Sequence, residues 1–66
     1  MNKGIVTYSK KVKDDLWLVE GYLNSSGRVF TAFSKTEFIP GYECGVYFIQ
    51  DKGDPKKWYT NVRRLF

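Results

Sequence analysis

The chain contains no histidine, one cysteine and two prolines among 66 residues. Without histidine the usual general acid–base group at neutral pH is missing, and Cys44 has no imidazole to activate it. A single cysteine forbids an internal disulfide and fits a reducing compartment. One thiol and scattered acids cannot assemble a zinc site within one chain, so no metal or other cofactor is expected. No apolar run approaches the ~18 residues of a membrane span. The opening Met1-Asn2-Lys3-Gly4 has no apolar stretch of the secretory kind. A cytoplasmic protein is expected, with no membrane partner. Phosphate-cradling and dinucleotide-binding glycine motifs are also missing. Catalysis is therefore not expected, and Cys44 reads as a small buried hydrophobe.

Aromatic residues, by contrast, are abundant. Twelve of them, 18% of the chain, are spread along its length. One domain over residues 1–66 cannot bury so many large rings, so several must meet solvent or a partner. The net charge is +4, with an uneven distribution. Residues 1–13 carry four lysines and no acid, residues 14–50 are acidic on balance, and residues 51–66 are again basic. Exposed rings beside Lys and Arg suit a surface on which unpaired bases stack while cations follow the phosphates. The two basic ends make one patch only if the fold brings them together.

Apolar residues recur with a period of two. Five segments favour strand: residues 4–12, 16–23 (LWLVEGYL), 28–35 (RVFTAFSK), 44–50 (CGVYFIQ) and 57–65 (KWYTNVRRL). Turn residues separate them at Asp14-Asp15, Asn24-Ser25-Ser26-Gly27, Pro40-Gly41 and Asp51–Pro55. Only residues 34–39 could hold a short helical turn. The pattern predicts an all-β fold, a small five-stranded antiparallel barrel of the oligonucleotide-binding kind, with an SH3-like barrel as the alternative.

Alternation also distributes the side chains. In the second strand Trp17, Val19 and Leu23 face one way, and Leu16, Leu18, Glu20 and Tyr22 the other. Both faces are apolar, so the strand is either buried on both sides or meets a partner. Together with the small core this predicts a homodimer, closed through LWLVEGYL or Leu65-Phe66. Arg28 and Phe30 should share a face of the third strand, with Tyr22 approaching across the hairpin. Lys57, Tyr59 and Arg63 should share a face of the last strand, with Trp58 and Arg64 opposite. Tyr42, in a loop after Pro40-Gly41, has no automatic place in the core. The candidate nucleic-acid-binding residues are therefore Tyr22, Arg28, Phe30, Tyr42, Lys57, Tyr59 and Arg63.

The stretch from Gly41 to Gln50, GYECGVYFIQ, and the closing WYTNVRRLF resemble the second half of the small single-stranded-DNA-binding proteins of filamentous phages. The features in common are the loop Tyr42, the run Gly45-Val46-Tyr47, and Arg63, Arg64 and Leu65 in the final strand. The resemblance implies a five-stranded oligonucleotide-binding barrel that coats single strands as a dimer, without strong sequence choice, in the host cytoplasm. A different class of function also fits the composition: a phage-type β module that binds and inhibits a host protein through its exposed aromatics.

Overall fold

A computed structural model describes residues 2–65. It contains five strands: β1 (Asn2–Lys13), β2 (Leu16–Leu23), β3 (Val29–Ser34), β4 (Glu43–Gln50) and β5 (Trp58–Arg64). All five expected strands are present. No helix forms at residues 34–39; Ser34 ends β3 and the rest belongs to an irregular connection.

Each turn is set by local chemistry. Asp15 takes φ 59° in the β1–β2 turn, a left-handed conformation that Asp tolerates better than bulkier residues. Gly27 takes φ 73° in the β2–β3 hairpin, where its N–H donates to the Leu23 carbonyl at 2.8 Å. In the β4–β5 loop the Asp51 and Asp54 carboxylates accept from the backbone N–H groups of Gly53 and Lys56 at 2.8 and 3.1 Å. These are the two-residue side-chain turns for which Asp is favoured.

The strands form one antiparallel sheet in the order β3-β2-β1-β4-β5. A simple meander would leave β1 beside β2 only. Here the chain returns after β3 to pair Asn2–Ile5 of β1 with Glu43–Val46 of β4, the Greek-key order. Strand β1 can serve two partners because it is long and bulged, with register shifts at Val6/Tyr8 and Lys11/Lys13 that coil it. The two edge strands, β3 and β5, then run parallel and approach with Cα atoms within 8 Å, yet they form no ladder. The result is a half-open five-stranded barrel, with an unpaired seam between β3 and β5.

Inward residues from all five strands make the core: Val6, Val19, Leu23, Phe30, Ala32, Cys44, Val46 and Val62. Phe38, from the β3–β4 connection, plugs one end. Reciprocal hydrogen bonds clamp that connection to β1, from Gly41 N–H to the Val6 carbonyl at 2.7 Å and from Val6 N–H to the Tyr42 carbonyl at 3.0 Å. Phe30 and Phe38 are the only fully buried rings among the described residues. Most aromatics therefore lie wholly or partly at the surface.

Candidate nucleic-acid interface

The seam determines which aromatics are exposed. In a closed barrel, residues of β3 and β5 would cover one another. Here the two strands diverge enough to leave three depressions in a line, of about 710, 500 and 420 Å³. Thr31 and Thr60 border both of the first two, and Phe33 and Asn61 both of the last two. Together they form a groove along the seam. From Arg28, just before β3, to Lys35, just after it, the groove spans about 23 Å at strand rise.

Four large rings line this groove. Phe33 stands on the outer face of β3 and is 58% exposed. Trp58 and Tyr59, at the start of β5, are 61% and 55% exposed. Phe48 of β4 is 48% exposed at the wider end. Hydroxyls from Ser25, Thr31, Ser34 and Thr60 fill the intervals. None of the chain's seven Asp and Glu residues lines it, whereas Arg28 and Lys35 stand at its two ends. Two acids lie alongside. Glu20 is opposite Thr31, one strand back. Asp51 accepts a 2.6 Å hydrogen bond from the Tyr59 hydroxyl. That bond fixes the tilt of the Tyr59 ring. It also holds the Asp51 carboxyl below the ordinary carboxylate range, with help from the Gly53 N–H, and pushes the Tyr59 phenol upward.

The expected site residues are only partly brought together. Arg28 and Tyr59 line the groove, and exposed Lys57 directly precedes Trp58, which borders its middle depression. Tyr22 lies one strand back, on the outer face of β2, paired with Val29. Around it the outer faces of β1 and β2 carry Ile5, Tyr8 and Leu18, an apolar surface that adjoins the groove where Leu18 pairs with Phe33.

Phe30 requires correction. It is 4% exposed and belongs to the core, so its faces are closed to a base. Alternation alone paired it with Arg28 at the surface, but its neighbour across the ladder is Gly21. A Cβ added at Gly21 would lie 2.8 Å from the Phe30 ring and would overlap the Ile5 carbonyl oxygen; one added at Gly4 would lie 2.9 Å from the same ring. The two glycines leave the space that the ring fills.

Tyr42 is also away from the groove. It packs against the core and meets Phe38 edge-on at a centroid distance of 5.8 Å. Arg63 stands on the outer face of β5 with its guanidinium 4.9 Å from the centre of the Tyr47 ring. Register places Lys3, Gly45 and Arg63 in one cross-strand row, so the basic ends of the chain do approach each other, but neither Lys3 nor Arg63 lines the groove. Arg64 is held inward, donating to the Glu37 carbonyl at 3.1 Å with its guanidinium over Phe38. Phe66, expected at a dimer contact, lies outside the described residues.

Sequence reasoning missed Phe33, Phe48 and Trp58 as site residues. Phe33 was legible, since it alternates with buried Ala32 and points outward. Phe48 was not, because it lies on the inward side of β4 and is exposed only where the seam fails to close. Among the described residues there is no cluster of three potential metal ligands, and no helix is long and apolar enough to cross a membrane. Cys44 is buried, and burial, reinforced by neighbouring Glu43, raises its thiol pKa, which disfavours the thiolate. Comparison with protein-family models, with curated proteins and with solved structures found no match.

Proposed function

We propose that this chain binds single-stranded nucleic acid, in the first instance DNA, without catalysing a reaction on it. The observation that carries the reading is the acid-free groove along the β3–β5 seam, lined by Phe33, Phe48, Trp58 and Tyr59 and with a cation at each end. Bases of an unpaired strand offer π faces to such rings, at ~1–3 kcal/mol per stacked base, whatever the sequence. Duplex bases are already stacked on one another and cannot do so. Arg28, Lys35 and Lys57 would neutralise phosphates and release counterions. A groove of this length suits roughly four nucleotides, the low end for one such barrel.

The resemblance of the C-terminal part to phage single-stranded-DNA-binding proteins favours the same reading, with action in the host cytoplasm. We also propose that the chain self-associates, with the exposed surface of Tyr8, Leu18 and Tyr22 as the contact between copies.

Fluorescence anisotropy with labelled oligonucleotides tests the proposal. The single strand should bind more tightly than duplex of equal length. Trp58→Ala should weaken binding about 5- to 150-fold with little change in salt slope. Arg28→Ala should weaken binding and flatten the slope of log K against log salt by about 0.7. If the wild type binds no single strand at low salt, the reading fails, and the exposed rings become anchors for a host protein instead.

A further inference from the structure

Phe48 occupies an unusual position. It lies two residues beyond buried Val46 on the inward face of β4, in register with Thr60 of β5. An inward ring normally belongs to the core, but here nearly half its surface is open because β3 and β5 do not pair over it. The ring borders the largest of the three seam depressions, about 710 Å³, with Leu23 and Phe30 also in its wall. Thr31 and Thr60 contribute hydroxyls, Asn2 contributes an amide, and Arg28 stands at the rim. Among the described residues the Arg28 guanidinium has no ion pair and no hydrogen bond.

We infer that this mouth of the barrel is a pocket for one nucleotide, its base turned inward against Phe48 and its phosphate at Arg28. The inference rests on the single-strand reading but goes further: it singles out one base of the bound strand for enclosure rather than surface stacking. The lining matches each part of a nucleoside monophosphate. One ring face takes the base, rotatable hydroxyls and an amide can donate or accept at its edge, and one unpaired cation takes the phosphate. With no carboxylate in its lining, the pocket does not suit a cation. The volume lies within the range of small-molecule sites. Turning a base inward costs little when the strand is already unpaired.

Backbone amide NMR of the full chain, titrated with thymidine monophosphate, ribose 5-phosphate and inorganic phosphate, tests this directly. The nucleotide should shift the resonances of Thr31, Phe48 and Thr60 with a saturable dependence. The two base-free anions should shift Arg28 and its neighbours only. Phe48→Ala should weaken nucleotide binding at least about fivefold. Phe48→Leu, which keeps apolar bulk without a π face, should do nearly the same in a protein whose spectrum remains that of the wild-type fold. Equal shifts from ribose 5-phosphate, or unchanged nucleotide affinity in Phe48→Leu, would overturn the pocket. Oligonucleotide binding separates the two levels. If single strands bind the wild type and both Phe48 variants equally, the groove stands and the pocket falls. If no oligonucleotide binds but the nucleotide shifts Thr31, Phe48 and Thr60, the pocket stands and the strand-binding reading falls.

Discussion

Phe30 and Phe33 are three residues apart on one strand, and truncating each should damage a different property. Phe30 is 4% exposed, wedged into the space left by Gly4 and Gly21. Removing a ring so enclosed forfeits its transfer energy and leaves a cavity, at a cost of about 3–5 kcal/mol. A chain of this length has a total stability of roughly 3–10 kcal/mol, so Phe30→Ala consumes about 30% or more of it. Phe33 is 58% exposed, and the minor buried part of its side chain is worth about 1 kcal/mol. Phe33→Ala should therefore melt only about 4–8 °C below the wild type, the shift that 1 kcal/mol produces in a domain of this size. Its oligonucleotide affinity should nevertheless fall about 5- to 150-fold, the value of one stacked base. Urea denaturation followed by circular dichroism gives the first quantity, and anisotropy at fixed low salt gives the second. A Phe30→Ala protein as stable as the wild type but unable to bind would invert the assignment. A Phe33→Ala protein destabilised by several kcal/mol would refute the outward placement of that ring.

Four further outcomes follow from the geometry. Gly21→Ala should destabilise by at least about 1–3 kcal/mol in thermal melts, because the new methyl meets the Ile5 carbonyl, a backbone atom that cannot swing aside, and this outweighs the usual gain from replacing a strand glycine. The Asp51–Tyr59 bond lowers one pKa and raises the other, so its contribution is present between the two ordinary values; it is lost as pH falls through the depressed Asp51 pKa or rises through the elevated Tyr59 pKa, and Asp51→Ala should return the Tyr59 titration, read by NMR, toward that of a free tyrosine. Cys44 should resist a thiol reagent in the folded protein and react promptly once denatured, because burial keeps the thiol protonated and covered. Sedimentation at micromolar protein should show a dimer, and Tyr8→Lys with Leu18→Lys should shift it toward monomer; a wild-type monomer at those concentrations would exclude the self-association.

All five strands were legible because their sequences agree at several levels. Period-two alternation, β-branched and aromatic content, and Asp, Asn or Gly at each break point to the same strands. The observed boundaries differ by a few residues, chiefly at the N-terminal end of β1, where Asn2 and Lys3 extend the strand by pairing with β4. That pairing lies some forty residues away in sequence and leaves no local signature. The irregular connection at residues 35–42 was harder to read for a similar reason. Its conformation is set by the Phe38 ring entering the barrel end and by the clamp to Val6, not by helical propensity.

The candidate site was less legible because exposure in this fold depends on a contact that is not made. Alternation identifies the two faces of a strand, but it cannot say whether an inward position lies under the core or under an open seam. Phe30 and Phe48 are both inward phenylalanines. One is sealed because two glycines let its neighbours close around it; the other is uncovered because β3 and β5 stay apart above it. The lack of pairing between those strands leaves backbone donors and acceptors unused along both edges, beside exposed rings and hydroxyls. An edge of this kind invites association and is commonly blunted by charge or covered by a partner. Here, acids are missing from the groove lining and cations stand at its ends, so the edge is biased toward an anionic, ring-bearing polymer and away from a second copy of this net-positive chain. The opening that makes the barrel incomplete is thus the feature on which its proposed binding depends.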